Sequence, residues 1–485
     1  MPIRNIEPTA LWNFFADLNA VPRPSKREER VIQFMLDFGK NYGLETHVDS
    51  VSNVIIKKPA SPGMEQRETV ILQAHLDMVH QKNEDTAFDF DAEGIDMRVE
   101  GDWVKANGTT LGADNGIGVA AIMAVLASKE LAHPAIEALF TIDEETGMTG
   151  AKQLDSGFLS GKILLNLDTE DDDELSVGCA GGLDTNTSYT YQFQAPNVES
   201  EAFQMEIKGL QGGHSGMDIH KGFGNANKLL VRCLYYFHQE LGAELASFDG
   251  GGLRNAIPRE AKALLTVKKD DVEAINNLFL KLKKELLQEY QAIEPNLELL
   301  LTPCDLPATV LKSSDSKKII NTLYSLPNGV YRMSPDIDGL VEASSSLARV
   351  LIANGTFTTQ SLQRSSVEST KADVANAIRC TFENMGSEVI QGGEYPGWKP
   401  NMQSPILALM KTIYLELFNE NPQVKACHAG LECGILGKHL PDTDMISFGP
   451  TIRGAHSPDE KVQISSVQKF WHYFTETLLK IPEKA

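Results

Sequence analysis

Long apolar runs are missing from this chain. The longest apolar helix candidate, residues 119–127, is far too short to span a bilayer. Residues 1–20 contain Arg4, Glu7 and Asp17 and no continuous apolar core, so no secretion signal is expected. Cysteine is scarce. Cys179, Cys233, Cys304, Cys380, Cys427 and Cys433 are scattered and form no CxxC pair, which points to reduced thiols in a cytoplasmic protein. Basic residues are outnumbered 44 to 66, for a net charge of −22. That balance argues against nucleic acid or an anionic membrane as a partner over most of the surface. It leaves room for small anionic substrates, because one local Arg can outweigh a distant field. No strong internal repeat and no low-complexity segment stands out.

What is present is a soluble globular composition, 42% hydrophobic and 23% charged, over 485 residues, enough for two or three domains. Residues 10–21 and 27–42 have helical apolar spacing. Short strands follow at 44–48, 53–57 and 69–74. A loop with three glycines, TTLGADNGIG, runs into an apolar helix over 119–128. Strands at 136–142 and 163–167 come next. This alternation predicts an α/β fold, a mixed sheet with helices on both faces. The character changes after Gly181. Thr, Tyr, Phe and Gln alternate over 182–208, as in an antiparallel, half-exposed sheet. Helices at 225–241, 271–289 and 368–384 and strands at 259–268, 340–350 and 355–364 make this block an inserted α+β domain. Helices at 404–418 and 465–481 resume the first style. The expected division is 1–186, 187–396 and 397–485, with the first and last parts forming one split domain.

Four acidic or histidine sites fall at the ends of predicted strands or in tight loops: His75 with Asp77, Asp114, Asp143-Glu144-Glu145, and Asp168. A fifth, His456, lies in TIRGAHSPDE. Each alone has an ordinary explanation as a cap, a turn residue or solvated charge. Together they suit a pair of divalent cations, since open α/β sheets place ligand sites where strands end. Two Zn²⁺ ions need a bridging carboxylate plus one His and one carboxylate each. Asp114 would bridge, His75 and Asp168 would hold one ion, and Glu145 and His456 the other. Asp77 would fix the His75 ring. Glu144, beside a ligand without being one, is free to act as general base.

His75-x-Asp77, Gly112-Ala113-Asp114-Asn115-Gly116, Glu144-Glu145-x-Gly147, Asp168 and the late His456 resemble the metal-dependent aminopeptidase/carboxypeptidase clan in its M20 branch. QAHLDMV, GCAGG, KGLQGGHSGMDIHKGFGNANKLLVR, LRNAIPREA, YPGW, HAGLECG and SPDE extend the resemblance nearly end to end, toward the Xaa-His dipeptidases of that branch. The stretch 332–351 departs most from the pattern. The resemblance implies a split di-zinc aminopeptidase-like catalytic domain with the insert as a lid, and allows Co²⁺ or Mn²⁺ as substitutes. It implies that His214 of GGHSG steadies the oxyanion. Asn255 and Arg364 would hold the substrate carboxylate, to which an Arg fork is suited. A cis Asp114–Asn115 peptide is implied too. Helical spacing puts His428 and Glu432 on one face, which packing alone explains. The sharper reading has Glu432 lining the pocket and meeting the ammonium end of a substrate.

The function these readings support is hydrolysis of small dipeptides with free termini, Xaa-His among them, in the cytoplasm. The resemblance allows a homodimer through the lid. Same-family rivals are an N-acyl-amino-acid amidohydrolase, a tripeptidase and a carboxypeptidase. A rival of another class is a metal-stabilised peptide-binding protein without catalysis; the intact Glu144 counts against it.

Overall fold

The computed structural model describes residues 2–484. The chain divides into two compact units. The first runs to Gly178 and resumes over Trp398–Ala426 and from Leu431 onward; the second comprises Cys179–Gly397 and Cys427–Gly430. The boundaries therefore fall at 178/179 and 397/398, against the expected 186/187 and 396/397. The strand Gly181–Thr190 explains the first difference, because all of it pairs within the second unit's sheet.

The first unit is built on an eight-stranded mixed sheet. Val70–His75 lies between Ile136–Thr141 and Ile163–Asn166 and runs parallel to both. All three strands are buried along their whole length. That is why they read as near-continuous apolar runs rather than alternating ones. Each fully buried Val, Ile or Leu contributes roughly 1.5–3 kcal/mol. Being parallel neighbours, the three strands deliver their C-terminal ends to one edge, followed by His75-x-Asp77, Asp143-Glu144-Glu145 and Asp168. Helix Ala113–Ala127 is buried on nearly every side, since Ala, Gly, Ile and Val leave it no polar face. It starts earlier than the expected residue 119. Strands Gln423–Cys427 and Asp444–Ser447 also join this sheet, in segments that carry too few alternating residues to stand out.

A small antiparallel sheet in the same unit orders Ile452–Arg453, Lys461–Gln463, Trp103–Ala106 and Met97–Glu100. Its pairing of Lys461 with Lys105 sets the hairpin over 454–460 beside the loop that leads to Asp114.

The second unit holds a nine-stranded antiparallel sheet with a duplicated topology. One βαββαβ repeat comprises Ser200–Lys208, Ala226–Leu241, Glu244–Gly251, Ala261–Lys268, Val272–Tyr290 and Glu298–Cys304. The other comprises Gly181–Thr190, Ser313–Ser325, Val341–Ala353, Thr356–Ser365, Glu368–Met385 and Glu388–Tyr395. The first repeat is inserted after the opening strand of the second, and the two join where Glu244–Gly251 pairs Val341–Ala353. This repeat lies in topology, and the interruption hides it from a reading of residues alone. Leu230, Phe237, Leu282, Leu323, Phe357 and Phe382 share its core. Among the described residues no helix is long and apolar enough to cross a membrane.

Candidate metal centre and active site

In the first unit, Asp114 faces two histidines at once. Its Oδ1 lies 3.2 Å from His75 Nε2 and its Oδ2 lies 3.2 Å from His456 Nε2. Asp168 Oδ1 is 3.6 Å from His75 Nε2, and Glu145 Oε2 is 2.9 Å from His456 Nε2. The structure thus brings together His75, Asp114, Asp168, Glu145 and His456. Asp114 and Asn115 depart from helical backbone angles at the start of their helix, and the peptide bond between them is cis. Asn115 was not anticipated as a site residue. Its Nδ2 donates to the Leu167 carbonyl and to Asp168 Oδ1, both at 2.6 Å, which orients Asp168.

The Asp77 carboxylate does more than fix a ring. His75 Nδ1 lies 3.1 Å from the Asp77 carbonyl and 3.4 Å from Asp77 Oδ1. The carboxylate oxygens accept the backbone N–H groups of Glu144 at 3.0 Å and Glu145 at 3.2 Å, and the Ser25 hydroxyl at 2.8 Å. One buried carboxylate therefore holds the His75 and Glu144-Glu145 segments in register. Asp143 assists with a left-handed backbone, φ 54°, and accepts hydrogen bonds from the hydroxyls of Thr146 and Thr149.

Charge in the cluster is unbalanced. Four carboxylates, Asp114, Glu144, Glu145 and Asp168, surround two imidazoles. Burial, reinforced by Glu432, Glu145 and Asp114 against the pull of His75, pushes Glu144 up to about 8. Burial, reinforced by Asp114 and Glu144, also raises Asp168, despite His75. Asp114 and then Glu145 raise His456 to about 11. For His75, burial works downward, but Asp168, Asp114 and Asp77 together hold it well above its ordinary range. Glu145 Oε1 is buried with no hydrogen-bond partner among the described residues. Mixed nitrogen and oxygen donors, an orphaned carboxylate oxygen and excess buried negative charge fit divalent cations. Three groups have ligand atoms within 4.8 Å of one another: His75/Asp114/Asp168, Asp114/Glu145/His456 and His75/Glu144/Glu145. The last group alone does not separate Glu144 from Glu145. Glu145 also pairs with His456 at 2.9 Å, and Glu144 does not.

Glu432 sits in the first unit as well. It is 1% exposed; its Oε2 accepts from Gln73 Nε2 at 2.6 Å and Thr141 Oγ1 at 2.7 Å, while Oε1 has no partner among the described residues. Burial, helped by Asp77 and opposed by His75, raises it to about 7. The pairing with His428 on a helical face fails. The helix is Glu432–His439, so His428 precedes it, and His428 belongs to the second unit. There His428 Nε2 meets Ser344 Oγ at 2.7 Å.

The other expected residues also lie in the second unit. His214 Nδ1 accepts the backbone N–H groups of Gly216 at 3.2 Å and Met217 at 3.0 Å. An acceptor Nδ1 leaves the ring proton on Nε2. Burial and Arg364 hold His214 below its ordinary range, which keeps that neutral form. Nε2–H then faces Arg364 Nη2 at 3.5 Å, donor against donor. Arg364 is 4% exposed, donates to Tyr395 Oη at 2.8 Å, and leaves Nε without a partner among the described residues. Two donors converging on one gap suit an anionic oxygen. Asn255 lies alongside, its carbonyl accepting the Ser215 N–H at 2.7 Å. Tyr395 was not anticipated; only its place in YPGW marked it.

Residues 71–480 match the model of peptidase family M20/M25/M40. The chain belongs to this family. It is 43% identical over 484 residues, 99% of each chain, to the cytosol non-specific dipeptidase of Escherichia coli strain K12. It is 44% identical to aminoacylhistidine dipeptidase from Vibrio alginolyticus, whose crystal structure covers 100% of this chain and 99% of that one with a TM-score of 0.96. The aminopeptidase PepT structure from Bacillus cereus, 16% identical, covers 98% of this chain and 99% of that one with a TM-score of 0.56, which shows a shared fold alone.

Proposed function

We propose that this peptidase is a dipeptidase that cuts free dipeptides, Xaa-His among them, with two zinc ions per chain. The observation that carries this reading is Asp114, whose two oxygens each meet a different histidine while Glu144 stands beside them in neither pair. His75 and Asp168 would hold one ion, Glu145 and His456 the other, and Asp114 both. Such ions lower the pKa of water and polarise a carbonyl. Glu144, brought back down to its charged form by cations set among these carboxylates, would take the proton that water gives up and hand it to the departing amine. Asp77 keeps Glu144 and Glu145 aimed. In the second unit His214 Nε2–H would serve an anionic oxygen of the substrate, and Arg364 with Asn255 its carboxylate, as the family resemblance implies. The free Oε1 of Glu432 suits a substrate ammonium. The name of the Escherichia coli relative supports a cytoplasmic place for this chain.

The two similar proteins carry names of different breadth, one non-specific and one for aminoacyl-histidine. A panel of Xaa-His and Xaa-Gly dipeptides, each free and N-acetylated, tests the substrate. Free dipeptides should turn over and their acetylated forms should not. Preference for the acetylated forms would instead make this an amidohydrolase.

Metal binding should release protons. In the metal-free chain His456 at about 11 is an imidazolium at neutral pH, and a ligand must be neutral. Zinc affinity should therefore rise with pH. Metal-free stability should do the opposite. A histidine raised in the folded state contributes fully below its unfolded value of about 6.5 and loses that contribution as pH climbs toward 11. The raised Glu144 works in the same direction between its unfolded value of 4.5 and about 8. Thermal melts of chelated protein from about pH 6.5 to 9 should fall, and calorimetric zinc titrations in buffers of different ionisation enthalpy should show proton release. Melts that rise with pH, with no proton release, would refute the ligand assignment.

A further inference from the structure

We propose that Glu460, working against Arg23, is the positioning residue that aims Asp114, so that one hairpin sets both metal positions together. The proposal rests on the metal reading above. Glu460 closes the hairpin over 454–460 that also carries His456, and it is 2% exposed. Its two oxygens accept four successive backbone N–H groups. Oε2 takes Leu111 at 2.7 Å and Gly112 at 2.9 Å, and Oε1 takes Ala113 at 2.7 Å and Asp114 at 3.2 Å. From the other side Arg23, 1% exposed, donates to the Gly112 carbonyl at 2.6 Å. The same guanidinium donates to the carbonyls of Leu76 at 3.0 Å and Asp77 at 3.2 Å. The loop before Asp114 is thus gripped through its N–H groups by one ion and through a carbonyl by another, and Arg23 ties it to the His75-x-Asp77 segment.

The glycines of the GADNG motif make room for this grip. A Cβ on Gly112 would lie 2.5 Å from Arg23 Nη2, and one on Gly116 would lie 2.6 Å from it. Among the described residues the Asp114 carboxylate meets only the two histidines, so its direction depends on its backbone. A shared ligand that turns loses both partners, whereas a ligand to one ion loses one.

Zinc affinity of the full-length protein, measured by competition with a chromophoric chelator, separates these cases. E460Q puts an amide NH₂ against N–H donors. Both zinc affinities should fall in parallel by about 10–100-fold, the usual cost of losing a residue that orients a ligand. E460D keeps both oxygens on a shorter stem and should fall between, which covers the case of E460Q failing to fold. D168N should weaken one zinc more than the other. The visible spectrum of the Co²⁺-loaded protein should change in E460Q. Wild-type zinc affinity in E460Q, with or without a lower melting temperature, would make Glu460 merely structural and overturn the proposal. Selective loss of one zinc would also overturn it, since Glu460 would then act on His456 alone. Absence of zinc binding by the wild type would instead sink the metal reading itself.

Discussion

Glu144→Gln should retain near wild-type zinc while kcat falls by about 10²–10⁴ or more, the usual share of a positioned acid/base. Gln keeps the size and hydrogen-bonding capacity of Glu but accepts no proton at neutral pH. KM should change little, because the lost interaction belongs to the transition state. Glu145→Gln should behave differently, although the two residues are neighbours. Both backbone N–H groups are pinned to Asp77, at 3.0 and 3.2 Å, so neither substitution need disturb the other's backbone. Glu145 Oε2 approaches His456 to 2.9 Å, whereas Glu144 shares a cluster of ligand atoms with His75 and Glu145 and, among the described residues, with no group that includes His456. Gln at 145 removes an anionic ligand, so one zinc should be lost first and activity with it. Added zinc should partly rescue Glu145→Gln and leave Glu144→Gln unchanged. Rescue of Glu144→Gln alone, or substantial turnover by it, would reverse the assignment of roles.

How legible this centre is in the sequence depends on where each residue's partners lie. His75, Asp114, Glu145, Asp168 and His456 announce themselves because each is a ligand type at a strand end or in a tight loop. Parallel pairing of Val70–His75 with its two neighbours brings three of those strand ends to one edge. Arg23 announces nothing, and Glu460 is visible only as the end of SPDE. Their partners are backbone N–H and carbonyl groups, which carry no side-chain signature, and Arg23 stands 89 positions before the Gly112 carbonyl it holds. Asn115 is visible only as part of GADNG, and its bond to Asp168 crosses 53 positions. The His428–Glu432 pairing misled because a spacing of four predicts a shared face only inside a helix, and the helix starts at Glu432. In the second unit the strands Gly181–Thr190, Ser200–Lys208, Ala261–Lys268, Val341–Ala353 and Thr356–Ser365 lie close to the expected ones, whereas Glu244–Gly251, Glu298–Cys304 and Glu388–Tyr395 were not anticipated. The duplication was not legible, because one repeat interrupts the other after its opening strand.

Arg364→Met should raise KM for free dipeptides with a loss of about 2–5 kcal/mol in kcat/KM, the cost of truncating one member of a buried, hydrogen-bonded charge pair. The expectation rests on a guanidinium that is 4% exposed and whose Nε has no hydrogen-bond partner among the described residues, which leaves a buried donor for a substrate anion. Its neighbours fix it for that purpose. Tyr395 Oη accepts one of its N–H groups at 2.8 Å, and His214 Nε2–H points toward the same gap from 3.5 Å. A substrate whose C-terminal carboxylate is converted to an amide isolates the contact. Wild type should lose on amidation about what Arg364→Met loses on the free dipeptide, and the variant should lose little more on amidation. Arg364→Lys keeps the charge but not the planar fork and should recover only part of the loss. The variant also removes a cation beside His214. Burial and Arg364 together hold that imidazole low, so Arg364→Met should let it rise toward its ordinary range. An activity limb assigned to His214 should then move upward in pH in the Met variant and much less in Lys. Equal losses on free and amidated dipeptides in Arg364→Met would show that the guanidinium serves packing, and that the substrate carboxylate is held elsewhere.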